Sequence, residues 1–239
     1  MKFARYFIRT GLAVIIIMVI AIGVLCYQDG LNPLDAIFPG KLSTESFHVL
    51  PNEIEKIDGL ERFDRVVVDG NSETVQELYQ RVSDEAKKLP DVFIDIFNKS
   101  GFKLVISDNV YKYTRKHVPD GFYLGGVTQE HGSDKRIVLF PVQGDRTSLY
   151  HEFGHVLVSV YEMEKETLPV IWEHDYKGTV ALTGEYAGAG ADECWAEAFR
   201  FMLQNMDNPT AMAKAEALMP VSYLCFQRFI EYGEEQEAA

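Results

Sequence analysis

His151-Glu152-Phe153-Gly154-His155 is the stretch that decides the fold. On an α-helix, positions i and i+4 lie one turn apart on one face, so both imidazoles can reach a single metal ion. Glu152 is offset by one residue. Its carboxylate then falls beside the open coordination position, where it can take a proton from metal-bound water. Leu149, Phe153, Val156, Leu157 and Val160 give the same segment an apolar face, and the spacing predicts a helix from Arg146 to Tyr161.

Two histidines leave a zinc site one protein ligand short. Downstream, residues 162–190 carry Gly178, Gly184, Gly188 and Gly190 and read as a loop-rich stretch. Ala191–Asn205 then returns to helical spacing and offers Glu193 and Glu197, again i and i+4 on one face. The first can bind the metal; the second, one turn on, can accept a hydrogen bond from the far nitrogen of a ligating histidine. Two helix carboxylates are ordinarily a solvated face. Here Glu197 is embedded in Cys194-Trp195-Ala196 and Ala198-Phe199, where an unpartnered carboxylate is costly.

Upstream, the β-branched run Arg65–Asp69 predicts a strand, and Ser72 opens a helix toward Lys88 that Pro90 interrupts and Val92–Phe97 resumes. Phe102–Ser107 alternates as a strand. Gly121–Thr128 and Arg136–Phe140 predict two more, joined around His131-Gly132-Ser133-Asp134. The first of these could be an edge strand that pairs with an extended peptide, with Gly125-Gly126 letting a backbone approach; a plain hairpin with glycines for a bulge fits equally well. A last helix is expected over Ser222–Tyr232. The order, a small sheet with helices and then helices alone, is α+β.

HEFGH on one helix, Tyr186 some thirty residues later, and Asp192-Glu193-Cys194-Trp195-Ala196-Glu197-Ala198-Phe199-Arg200 together resemble the catalytic domain of anthrax toxin lethal factor and its relatives. These are zinc metallopeptidases of the gluzincin type, a family that includes small secreted proline-directed endopeptidases. The resemblance covers roughly residues 100–232. The 38 positions from His155 to Glu193 suit it better than the shorter gap of thermolysin-like enzymes. It implies a zincin-like domain with one zinc ion per chain, bound by His151, His155 and Glu193. It also implies Glu152 as general base, Tyr186 as donor to the oxyanion or helper of the leaving amine, and Glu197 as the partner of a ligating histidine. The substrate would be a peptide or protein. A non-catalytic extracellular module that keeps the fold and binds peptides is the alternative, though it would have no need of Glu152.

The N-terminus adds a location. Residues 1–9 carry Lys2, Arg5 and Arg9 and no acid, so the remainder holds 20 of the 23 basic residues against 36 acidic ones, a net charge of −16. Thr10–Gln28 is uncharged and largely apolar; as a helix it reaches ~28 Å, close to the hydrocarbon thickness of a bilayer. The basic flank stays cytoplasmic and sends the rest outward. Ala21-Ile22-Gly23 also has the form of a signal-peptide cleavage site, but Val24-Leu25-Cys26-Tyr27 continues the apolar run and favours an uncleaved anchor. The expected organisation is a cytoplasmic end over 1–9, a transmembrane signal-anchor over 10–28, a stalk or wrapping segment over 29–60, and a metallopeptidase-like domain over 61–239. That domain would lie outside a single-pass membrane anchor, or be secreted if the segment is cleaved. Its acidity disfavours nucleic acid, which needs clustered Lys and Arg. Cys194 and Cys225 could pair outside the membrane or stay as free thiols. His48, His117, His131 and His174 have no partner at ligand spacing; His174 could line a cleft from the loop between the motifs.

Overall fold

The computed structural model describes residues 59–114, 124–142 and 147–237. The anchor expected over Thr10–Gln28 and nearly all of the stalk lie outside them. Among the described residues, no helix is long and apolar enough to cross a membrane.

Four strands form one sheet in the order β1-β2-β4-β3. They are β1 (Val66–Asp69), β2 (Phe102–Ser107), β3 (Gly126–His131) and β4 (Asp134–Leu139). β2 runs parallel to both β1 and β4, while β3 closes the sheet as an antiparallel edge. Between β1 and β2 come α1 (Glu73–Ala86) and α2 (Asp91–Lys99), split at Pro90 as the sequence predicts. Ser72 caps α1, its hydroxyl accepting from the Val75 N–H at 3.3 Å and so satisfying one of the free N–H groups of the first turn. Alternation along β2 sorts its residues. Phe102, Leu104 and Ile106 join the main core with α1, α2 and α4 (Leu149–Val160), whereas Val105 faces the other way with Val138, Phe140 and Tyr113 of α3 (Val110–Thr114).

β3 begins and ends later than expected. It continues past Thr128 because its polar residues have cross-strand partners: Arg136 donates to Gln129 at 2.9 Å, and Lys135 pairs with Glu130 at 3.2 Å. Gly132, at φ +62°, supplies the left-handed backbone of the tight turn into β4.

The stretch 162–190, expected to be loop, is mostly a seventeen-residue helix, α5 (Thr167–Thr183). Pro169 sits in its first turn, where a backbone N–H has no partner within the helix anyway. Gly178 is there for a neighbour: a Cβ on it would come 1.7 Å from the Leu218 carbonyl oxygen. The buried stripe Leu168, Ile171, Asp175, Thr179 has helical spacing, but half of it is polar, which hides the period. Asp175 is buried because it accepts from the N–H groups of Val221 at 3.3 Å and Ser222 at 2.6 Å, capping α8 (Pro220–Glu237). α8 is longer than expected. A further helix with no sequence assignment, α7 (Pro209–Leu218), has Asn208 as its cap, accepting from the Ala211 N–H at 3.2 Å. α6 (Ala191–Gln204) packs on both α4 and α5.

Candidate active site

The site forms where α4 meets α6. Gly154 lets the two backbones approach: a Cβ there would lie 2.7 Å from the Ala196 Cα, well inside van der Waals contact. Trp195, fully buried, locks the crossing by donating its indole N–H to the Gly154 carbonyl at 3.0 Å. Flanking that contact stand His151, three residues before Gly154, and His155, next to it, on one helix, with Glu193, three residues before Ala196, and Glu197, next to it, on the other.

The Nε2 atoms of His151 and His155 are 3.1 Å apart. Glu193 Oε2 lies 3.0 Å from the first and 3.5 Å from the second. Four ligands at ~2.0–2.1 Å in a tetrahedron are ~3.3 Å from one another, so this triangle has the dimensions of three corners of a zinc site. The chemistry agrees. Glu193 Oε2 is buried and makes no well-formed hydrogen bond, and two imidazole nitrogens turn toward each other and toward it. Such an arrangement of lone pairs is unfavourable unless a cation or protons occupy the centre. The residues present therefore fit a divalent metal of zinc type.

The protonation pattern of the side chains alone points the same way. Burial works against a charged His151, but Glu193 and Glu197 on its two sides raise its pKa from 6.5 to about 9. Glu193 and Glu197 are correspondingly held below the ordinary carboxylate value of 4.5: burial opposes this, but the imidazoles, and for Glu197 also Arg200, outweigh it. Glu197 Oε1 is 2.8 Å from His151 Nδ1. That contact assigns the far nitrogen to Glu197 and leaves Nε2 for the centre.

Glu152 points away from α6, toward the sheet. It is buried against β3, where a Cβ on Gly126 would sit 2.7 Å from its Oε1, and Thr128 donates its hydroxyl to Oε2 at 2.8 Å. Burial raises its pKa, opposed by His155, His151 and Thr128. Tyr186 rises from the short 3₁₀ turn Glu185–Gly188 with its ring 5.7 Å from that of His151; it is 58% exposed. Burial and the nearby Glu193 push its phenol pKa up. Five of the six residues singled out in the sequence, His151, Glu152, His155, Tyr186 and Glu193, thus line one cleft of about 880 Å³, walled on one side by β3 and on the other by α5, and Glu197 stands behind His151. β3 is the edge strand there.

His174 is not part of it: it is exposed on α5, and Trp172, two residues earlier, lines the cleft instead. His131 is exposed at the β3 turn, and His48 and His117 lie outside the described residues. Cys194 and Cys225 are both free thiols. Three contributors went unassigned in the sequence. Thr128 fixes Glu152, and nothing in a strand threonine announces that. Arg200 grips Glu197 with Nε at 3.2 Å from both oxygens and Nη2 at 2.5 Å from Oε2; its i+3 spacing from a buried carboxylate was the available signal. Trp172 is the third.

No protein-family model matches this sequence, and no curated protein does. The fold has a counterpart among solved structures. It is similar to the Pro-Pro endopeptidase PPEP-2 from Paenibacillus alvei, with a TM-score of 0.50 at 18% identity. The match covers 72% of this chain and 99% of that one. The α+β arrangement of a small sheet with packed helices is therefore shared with a peptidase. The likeness to lethal factor rests on the sequence motifs and their spacing alone.

Proposed function

We propose that this chain is a zinc-dependent endopeptidase, held outside the cell on a membrane anchor over residues 10–28 or released from it by cleavage. The observation that carries the reading is the convergence of His151 Nε2, His155 Nε2 and Glu193 Oε2 within 3.0–3.5 Å of one another, with Glu152 lining the same cleft. The shared fold with a Pro-Pro endopeptidase supports it.

His151, His155 and Glu193 would hold the ion. Bound there, zinc would lower the pKa of a water and polarise a scissile carbonyl. The chain's own groups do the rest. Glu152, kept out of bulk water and held in one rotamer by Thr128, accepts the proton of the attacking water and returns it to the departing nitrogen. The Tyr186 hydroxyl, whose raised pKa keeps it protonated, donates to the oxygen that becomes negative. Glu197 holds the His151 ring through Nδ1, and Arg200 holds Glu197. Among the described residues no strand pairs with the outer edge of β3, so an extended peptide can add to the sheet with its carbonyl beside the histidines.

Metal analysis and hydrolysis of a peptide library, run on the parent and on Glu152→Gln, test this together. The parent should contain one zinc per chain and cut peptides; Glu152→Gln should keep the zinc and lose the cutting. A Glu152→Gln variant as active as the parent would overturn the assignment. A parent that binds peptides and zinc without hydrolysis would instead be an interaction module on the same fold.

A further inference from the structure

Nothing in the proposed chemistry uses Trp172. It stands on α5 among the residues that line the cleft, with Leu168 and Pro169 one turn earlier and Val158 of α4 one turn beyond His155. The indole is supported from behind. It stacks on Tyr176 at 4.5 Å between centroids, and Tyr176 in turn lies against Gly188, where a Cβ would approach its ring to 3.3 Å. Gly188 ends the turn that carries Tyr186, so aromatic wall and candidate oxyanion donor are built on one packed unit. The indole is half-buried: one part packs against the main core together with Tyr176, and the part that lines the cleft beside the candidate site is placed to be covered by a ligand. The charged residues that share the lining, apart from the metal-donor group and Glu152, are Glu130, Glu164 and Asp192; no Lys or Arg is among the described lining residues.

We propose that Trp172 determines specificity by seating a large apolar side chain, aromatic before aliphatic, of a substrate residue next to the scissile bond, in a cleft that rejects acidic side chains. The proposal rests on the endopeptidase reading. Stacking on a preformed indole rewards a flat apolar group, and the three carboxylates repel an anionic one.

The chain has two tryptophans, and the other, Trp195, is fully buried at the α4–α6 crossing. A change in tryptophan emission on peptide binding therefore reports on Trp172. The full-length Glu152→Gln protein, loaded with zinc, is titrated with octapeptides bearing Phe, Leu, Ala or Glu at each central position. Turnover of the same peptides is measured with intact Glu152. Expected are an emission change with the Phe peptides, affinity and kcat/KM about tenfold or more above those for Ala, and weakest binding for Glu. Trp172→Phe should abolish the emission change while keeping a preference for Phe over Ala. Trp172→Ala should lose that preference, its near-ultraviolet circular dichroism serving to check the fold. An undiminished preference in a folded Trp172→Ala overturns the proposal, and so does a parent that cuts peptides without regard to apolar size. Should Glu152→Gln bind the Phe peptide at Trp172 while the zinc-loaded parent cuts nothing, the endopeptidase reading fails and the apolar seat stands.

Discussion

Gly154→Ala is the substitution that isolates the geometry of the site from its chemistry. It removes no ligand and adds one methyl group on the face of α4 that meets α6. The added Cβ would stand 2.7 Å from the Ala196 Cα and 3.1 Å from its Cβ, both parts of the facing helix with no freedom to rotate away. Ordinary carbon–carbon contact is ~3.5 Å or more, so the helices must part by ~0.8 Å at the crossing. Metal–donor distances tolerate ~0.2 Å. With Glu193 on one helix and both histidines on the other, that displacement spoils a triangle now closed at 3.0–3.5 Å, and it stretches the Trp195 bond to the Gly154 carbonyl from its 3.0 Å. Stability should respond less. Overpacking costs ~1–3 kcal/mol, and the better helix propensity of Ala returns up to ~1. The expectation is a folded protein, destabilised by ~0–3 kcal/mol, whose zinc affinity falls at least tenfold. Chelator competition measures the affinity and thermal unfolding of the metal-free protein measures the stability. Gly178→Ala is the control: its clash with the Leu218 carbonyl, at 1.7 Å, is worse but lies where α5 meets the end of α7. It should cost more stability and leave the zinc affinity of the folded protein alone. Parental zinc affinity in Gly154→Ala would refute the argument that close helix approach sets the site.

Arg200→Leu should lower zinc affinity by about tenfold, because Glu197 loses the guanidinium that orients it toward His151; chelator competition would show it, and unchanged affinity would make Arg200 a surface residue only. Thr128→Val should retain full zinc content and lower kcat by roughly tenfold, since only the rotamer of Glu152 is released; single-turnover hydrolysis reads this. The metal-free protein should have a pH-dependent melting temperature of defined sign. His151 is raised from 6.5 to about 9, so its contribution is whole below 6.5 and is lost as pH rises through 9. Glu193 and Glu197 are depressed below 4.5, so theirs is whole above 4.5 and is lost on acidification. Maximal metal-free stability from this cluster falls between those limits. The increase in melting temperature on adding zinc should widen from pH 6.5 to 9, as zinc no longer competes with a proton on His151; a constant increase would contradict the assignment.

What could be read in the sequence was whatever had a period or a spacing. The parallel strands β1, β2 and β4, the helices on either side of Pro90, the helix at HEFGH and the helix at Glu193–Glu197 all show runs or regular intervals of apolar residues, and in the helices burial follows those intervals. α5 was lost because Asp175 and Thr179 occupy its buried stripe, and Asp175 is there to cap a helix that begins 45 residues later. No local pattern encodes that. The end of β3 was lost for a related reason: Gln129 and Glu130 are strand residues by virtue of Arg136 and Lys135 across the hairpin, not by their own propensity. The ligand candidates were legible because i and i+4 geometry belongs to a single helix, whereas Thr128 touches Glu152 only once sheet and helix have packed.

The glycines carry the part of the site that spacing cannot express. α4 is approached on both sides at less than side-chain distance, by Ala196 at Gly154 and by the β3 backbone at Gly126, which lies against Glu152. His151 and His155 meet the carboxylates of α6 across the first contact. Glu152 meets Thr128 across the second. One helix is thereby gripped between a sheet edge and a second helix, with the metal donors on one flank and the base on the other. A residue that reads in sequence as a weak helix former, Gly154, is what lets the motif around it close. This is why a change that touches no polar atom should silence the site more thoroughly than it unfolds the domain.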